Sequence, residues 1–386
     1  MYLEKVGMGS SSIGILTFHC ADNYGAMLQA YGLKEYLRKK GFDVEIVCYE
    51  PPFMTGRHWW IPYIPEGGLF GIIRHGWHGW RRNLKLGKTF FERRKNMRQF
   101  RKKYLIETVQ KKLLFAGQLR KLAYQYYIVG SDQIWNPDIT LGLRKVYFGA
   151  FKSGEKEKII AYAASLGGEC LSDKYDRKFS EFLRYVNVIS VRENAAIPYI
   201  KRFCGKRVSA MPDPVFLLKK NEWQKIEKMP NRENYILVYM TEYNEELVHY
   251  VKVLSQKKDL WIIQVQGGAE ITAPNVIIDR VASPAGFLGY IHKADYIVTN
   301  SFHGVAFSII YQKKFMVFRH SSVGERINNI LEVFDLQDRV YRKGEDIKIE
   351  DDIEWKRVMG QIEDNVKKAE SFFIKCMRTN IIESSW

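Results

Sequence analysis

ADYIVTNSFHGVAFSIIYQKKFMVF, residues 294–318, is the stretch that decides the fold. YIVT reads as a buried strand, because β-branched and aromatic residues follow one another without polar interruption. Asn300-Ser301-Phe302-His303-Gly304 reads as a short polar turn, Val305 to Tyr311 as a buried helix, and Phe315 to Phe318 as a second strand. Strand, turn, helix, strand is one βαβ unit. In such units the loop at the carboxyl end of the strand borders the ligand crevice. The following helix turns its N–H groups and positive dipole end toward that crevice. His303 stands at this corner. It suits either of two jobs: a packed or capping histidine, or one that holds an anion and gives it a proton.

Outward from this unit, the same texture recurs. Strands are expected at Tyr235–Tyr239, Trp261–Val265 and Val276–Ile278, and helices near Glu245–Ser255, Pro284–His292 and from Glu325 to about Phe334. In the N-terminal half, Ile13–Phe18 and Val44–Tyr49 read as strands around a helix, Ala26–Lys40. Leu28, Leu33 and Leu37 mark that helix's apolar side, Lys34, Arg38 and Lys39 the other, and Gly41 ends it. Further strands are expected at Tyr126–Val129, Ile159–Ala163 and Val188–Ser190, each running into small or polar residues. Parallel sheets gather such loops along one edge. GxGxxG is absent, so there is no dinucleotide fingerprint. Lys219–Asn234, polar and charged, reads as the connection between two domains. Trp355–Ile382 reads as a C-terminal helix that can fold back on the first domain.

The 386 residues exceed one ordinary core, and the 46% apolar content can fill two. No apolar run reaches the ~18 residues of a spanning helix, and the N-terminus lacks a signal-peptide pattern, so a cytoplasmic protein is expected. The five cysteines are scattered and have no metal-ligand spacing. The formal net charge of +17 implies an anionic partner. No nucleic-acid motif accompanies it, so nucleic acid is not expected.

From residue 58 to 103 the texture changes. His58-Trp59-Trp60 and two prolines precede a mixture of Phe70, Ile73, Trp77 and Trp80 with Arg81 and Arg82, then a basic helix candidate from Arg93 to Lys103. Tryptophan beside cations suits an interfacial segment on an anionic membrane, here the inner face of the cytoplasmic membrane. It equally suits a plain surface insertion whose tryptophans pack on the domain.

Six pieces in order carry a resemblance: NYGAMLQAYGLKEYL (23–37), YIVGSDQIWN (127–136), AYAASLG (161–167), SVRE (190–193), PDPVFLL (212–218) and TNSFHGVAFSIIYQKKF (299–315). With these the chain resembles the polysaccharide pyruvyl transferases over nearly its whole length. The resemblance implies an α/β protein of two Rossmann-like domains facing a central cleft, similar to GT-B glycosyltransferases. It places an acceptor-side domain at 10–218 with the insertion at about 53–104, a donor-side domain at 234–345, and the terminal helix at 353–382. It implies transfer of the pyruvyl group of phosphoenolpyruvate to two hydroxyls of a lipid-linked or polymeric saccharide, giving a cyclic ketal and phosphate, and it makes His303 central. Some members carry an arginine two positions before that histidine; here Ser301 stands there, so either the charge comes from elsewhere or the donor is held differently.

The donor, close to trianionic, needs converging cations and backbone donors. Arg192, Arg319 and Arg326 are the candidates, with Ser301 and Gly304 beside them; each arginine is otherwise a surface ion pair. His303, protonated beside phosphate, is the expected general acid. Asp132 is the expected base for the sugar hydroxyl, with Asp22 in reserve; Asp132 also suits a helix cap. Asn23, Gly25, Gln29, Ser131, Gln133 and Asn136 can bond acceptor oxygens, and Trp135 can stack on a pyranose or sit in the core. No metal or cofactor is expected. The competing readings are a glycosyltransferase using a sugar nucleotide and a non-catalytic saccharide- or lipid-binding protein on the same fold.

Overall fold

In a computed structural model, residues 12–55, 87–106, 111–151, 157–265, 269–320, 324–344 and 353–378 are described. They fall into two compact units. The first takes the described residues up to Phe90, Arg101–Leu217 and those from Lys367 on; the second takes Phe91–Phe100 and Leu218–Val366.

The first unit is built on six parallel strands in the order β2-β1-β3-β4-β5-β6: β1 Ser12–Leu16, β2 Asp43–Ile46, β3 Tyr126–Asp132, β4 Lys158–Ala164, β5 Val188–Val191 and β6 Val208–Ala210. The strands β1, β3, β4 and β5 bury nearly all their residues, because parallel sheets are covered on both faces. Helix α1, Tyr24–Lys39, joins β1 to β2; Asn23 caps its start by accepting from the Ala26 N–H, and Arg38 and Lys39 lie in its last turn. Lys34 does not belong to α1's polar side as expected. It is wholly buried, and its ammonium donates to the Tyr104 carbonyl from the segment Arg101–Leu105 that covers it. β3 runs three residues beyond the expected strand, through Gly130 and Ser131 to Asp132. Gly130 has φ +115°, and a Cβ there would lie 2.3 Å from the Tyr162 carbonyl oxygen of β4, so only glycine fits this close approach. β6, a short edge strand, had no sequence signal strong enough to expect it.

The second unit has five parallel strands in the order β11-β10-β7-β8-β9: β7 Tyr235–Tyr239, β8 Trp261–Val265, β9 Val276–Asp279, β10 Tyr296–Thr299 and β11 Phe315–Val317. Helix α2 spans residues 87–100. Its residues Phe91–Phe100 group with this unit, where the Asn96 amide donates to the Val281 carbonyl at 2.7 Å. α3 (Asp176–Leu183) and α4 (Ala196–Lys201) cover the first sheet. α5 (Glu245–Lys258), α6 (Pro284–Lys293), α7 (Phe302–Ile310) and α8 (Gly324–Val333) belong to the second unit. The stretch 219–234 is less purely polar than its composition suggests: Trp223 is fully buried, edge-on to Phe307 of α7 at 5.1 Å.

The terminal helix α9, Trp355–Arg378, begins in the second unit, where Arg357 and Gln361 both bond the Asp335 carboxylate. Its last turns belong to the first unit. There Phe373 stacks on Tyr162 at 4.7 Å, and Tyr126 and Lys158 donate to the Met377 and Cys376 carbonyls.

Each strand order has one reversal. In the first sheet it falls between β1 and β3, in the second between β7 and β10. At such a reversal the loops at the carboxyl ends part to opposite faces and leave a crevice. The loops after β1 and β3 carry residues 17–23 and 133–136; those after β7 and β10 carry 240–244 and 300–301.

Candidate functional site

In the second unit, Asn300 is fully buried and ties the two switch-point loops together. Its Oδ1 accepts from the Thr241 N–H at 2.8 Å and its Nδ2 donates to the Glu242 carbonyl at 2.6 Å. Ser301 is the N-cap of α7, so Phe302, His303 and Gly304 occupy the first turn, where backbone N–H groups have no intrahelical acceptor. His303 is the second helical residue, 8% exposed, packed edge-on to Phe302. Gly304 lets α7 close on β10: a Cβ there would lie 2.3 Å from Thr299 Oγ1.

Ser301 is hydrogen-bonded to the buried Tyr239 phenol. Burial pushes that phenol up to about 12, while the Ser301 bond and the Arg93 charge pull the other way. The Arg93 charge that acts on this phenol comes from α2. Arg93 also donates to the Arg280 carbonyl at 3.4 Å. Arg326 is buried on α8, and its charge, after burial and against the pull of Glu242, helps hold His320 below the usual histidine range. Arg319 is exposed, and its carbonyl accepts from Asn244. The carboxyl edge of β7, β10 and β11 thus gathers the N-termini of α5, α7 and α8, with His303 in the first turn of α7 and Arg326 in that of α8, an arrangement suited to an anion.

In the first unit, Asp132 ends β3 with φ +73° and is 8% exposed. Its Oδ1 accepts from the Gln133 N–H at 2.8 Å, and its carbonyl from the Ser165 N–H at 3.0 Å. Behind it lies a buried ionic network. Arg192 donates to Glu193 Oε1 at 3.0 Å and to Asp213 Oδ2 at 2.9 Å, and Ser165 Oγ donates to the same Glu193 oxygen. Burial pulls the Arg192 pKa down, but Glu193, Asp213 and Asp132 more than offset it, so the guanidinium stays charged. The expected donor-binding role of Arg192 is corrected here. It lies after β5 in the first unit, and its charge is already matched by carboxylates.

Three expected acceptor contacts are corrected as well. Trp135 is fully buried, stacked on Phe148 at 5.1 Å with its indole N–H on the Tyr147 carbonyl, so neither ring face meets a sugar. Gln29 and Ser131 are fully buried because they lie on the inner side of α1 and inside β3. Gln29 Nε2 donates to Thr17 Oγ1 and the Ala26 carbonyl, Thr17 donates to the Ser131 carbonyl, and Ser131 to the Ala163 carbonyl. These bonds lock α1, β1, β3 and β4 beneath the site. Asp22, Asn23, Gln133 and Asn136 are partly exposed in the two switch-point loops, and Gly25 is buried in the first turn of α1. Asn136 Nδ2 donates to Gln133 Oε1 at 2.9 Å.

Sequence reasoning missed Asn300, whose role is tertiary, and Arg93, whose charge acts on the Tyr239 phenol. It also missed the acceptors of Arg192, the carboxylates of Glu193 and Asp213. The aromatic half of the expected interfacial segment, including Phe70, Ile73, Trp77, Trp80, Arg81 and Arg82, lies outside the described residues. Among the described residues no helix is long and apolar enough to cross a membrane.

A family model described as polysaccharide pyruvyl transferase matches residues 23–322. No curated protein matches the chain. Among solved structures, UDP-GlcNAc 2-epimerase from Neisseria meningitidis bound to UDP-GlcNAc is similar at 9% identity and TM-score 0.45, covering 96% of this chain and 94% of that one. The E. coli heptosyltransferase WaaC with ADP is similar at 10% identity and TM-score 0.41, covering 92% and 99%.

Proposed function

Because the chain belongs to the polysaccharide pyruvyl transferase family, we propose that it transfers the pyruvyl group of phosphoenolpyruvate to two hydroxyls of one sugar in a cell-surface polysaccharide or its lipid-linked precursor. The observation that carries this reading is His303 in the first turn of α7, at the switch point of the second sheet, with Arg93 and Arg326 on the same edge.

The central carbon of the donor, which carries the phosphate oxygen, becomes electrophilic once its methylene gains a proton. His303 gives that proton. The first sugar hydroxyl then adds to the central carbon, and Asp132 takes its proton. Loss of phosphate breaks the carbon–oxygen bond of the donor. The second hydroxyl adds to the resulting cation and closes the ketal, its proton leaving with phosphate. The first-turn N–H groups of α7, with Arg93 in place of the arginine absent at Ser301, and with Arg319 and Arg326, hold the phosphate and carboxylate. Ser301 and Gly304 let the backbone approach them. Asp22, Asn23, Gln133 and Asn136 bind the acceptor. The acceptor is met at an anionic membrane surface through segment 58–103, whose described helix leaves Lys88, Lys95 and Arg98 exposed.

Incubation with phosphoenolpyruvate and a lipid-linked or soluble saccharide tests this. Phosphate release that requires the saccharide, with pyruvate retained in the product, is the expected result. Turnover of a sugar nucleotide instead, or tight saccharide binding with neither donor consumed, overturns it.

A further inference from the structure

The loops leaving β1 and β2 bring His19 together with Cys48 and Glu50, some thirty residues further along the chain. One ligand atom from each lies within 4.8 Å of the others, and Cys48 Sγ is 4.0 Å from Glu50 Oε1. Cys48 and Glu50 are two apart on a segment held extended by Leu113, so they project to the same side. His19 is fully buried. Its Nδ1 faces the Thr17 carbonyl at 3.3 Å, which assigns the proton to Nδ1 and leaves the lone pair on Nε2. Nε2 has no hydrogen-bond partner among the described residues. A backbone carbonyl on one ring nitrogen and a lone pair on the other is how a metal-binding histidine is held. Lys112 takes Glu50 Oε2 at 2.8 Å and leaves Oε1 on the side of Cys48.

We propose that His19 Nε2, Cys48 Sγ and Glu50 Oε1 bind one divalent late transition-metal ion, zinc being the best match to an imidazole, thiolate and carboxylate set. Tetrahedral bonds of ~2.0–2.3 Å place ligand atoms ~3.3–3.8 Å apart, so the three close by about 1 Å on binding. The thiolate and carboxylate bring two negative charges against the ion's two positive ones. Lys112 is more than half exposed and free to swing outward, which relieves its repulsion. Arg101 stays, with its guanidinium on the Cys20 carbonyl. The ion clamps the exit of β1 to that of β2 and so fixes the loop that carries Asp22 and Asn23. The site does not depend on the pyruvyl-transfer reading, and it replaces the expectation of no metal, which rested on spacing along the chain.

The test uses the full chain, stripped with a chelator and titrated with Co2+, then Zn2+. One equivalent of Co2+ giving a thiolate-to-cobalt charge-transfer band, displaced by Zn2+, is expected. Cys48→Ser removes the band, Cys170→Ser leaves it, and His19→Gln or Glu50→Gln weakens Zn2+ at least tenfold. Should Cys48→Ser not fold, zinc-edge X-ray absorption of the wild-type protein decides: one sulfur with nitrogen and oxygen neighbours is expected. No stoichiometric binding, a band that survives Cys48→Ser, or a shell without sulfur overturns the proposal.

Discussion

Arg192 and Asp213 meet at 2.9 Å inside the first unit, both side chains almost wholly excluded from solvent. Asp213 comes from the rigid turn after β6 and Arg192 from the loop after β5, so the pair fastens the sheet's edge to the loop behind Asp132. Removing one partner of a buried ion pair leaves the other charge uncompensated, which costs about 3–5 kcal/mol. Arg192→Ala should therefore lower the urea midpoint sharply. A variant with wild-type stability and a raised donor KM alone would restore Arg192 as a donor ligand.

His303→Ala is expected to leave the fold intact, because the side chain sits in the first turn of α7 rather than deep in the core. Loss of a general acid reduces turnover ~10²–10⁴-fold. Saccharide-dependent phosphate release, measured beside circular dichroism, checks both halves. More than about a tenth of the wild-type rate would contradict the role, on the same yardstick.

The strands were legible because parallel strands covered on both faces are nearly continuous apolar runs, and β7 and β10 show no polar break. The loops were legible for the same reason: small polar residues follow each run. What stayed hidden depends on partners from other elements. Lys34 has the chemistry of a surface residue, but the segment 101–105 covers it. Trp135 looks the same in sequence whether it stacks on a sugar or on Phe148. His19, Cys48 and Glu50 become neighbours only because β1 and β2 pair.

Arg93→Ala and Arg319→Ala separate the cations proposed for the donor. Both should raise the donor KM with kcat less affected, since a fixed charge contributes to ground-state binding. Arg93 should matter more, because it is partly buried and its charge acts on the buried Tyr239 phenol, whereas Arg319 is exposed. Initial rates against donor concentration decide it, with Lys88→Ala as the control on the same helix. An unchanged KM in Arg93→Ala would remove that residue from the donor site.

The basic segment predicts reversible binding to anionic vesicles. Each cation near the surface contributes about 1 kcal/mol, falling off within a Debye length. Co-sedimentation with anionic vesicles should be strong at low salt, weak at 1 M, where that length is ~3 Å, and absent with neutral lipid. Background binding to anionic vesicles at low salt would return the segment to a packed insertion.

Gly304→Ala tests the packing that presents His303. The added Cβ would meet Thr299 Oγ1 at 2.3 Å and Thr299 Cβ at 2.9 Å. Thr299 cannot simply rotate away, because its hydroxyl donates to the Tyr239 carbonyl at 2.6 Å and accepts from the Ser301 N–H at 3.0 Å. Either those bonds break or α7 moves off β10. Overpacking of this kind costs about 1–3 kcal/mol. If α7 moves, His303 moves with it, so kcat should fall by more than the loss of folded protein explains. Adding Thr299→Ala removes the clashing oxygen and should recover part of kcat in the double variant, although both hydroxyl bonds are lost. If Gly304→Ala keeps full stability and full kcat, α7 and β10 are not held together as tightly as Thr299 implies.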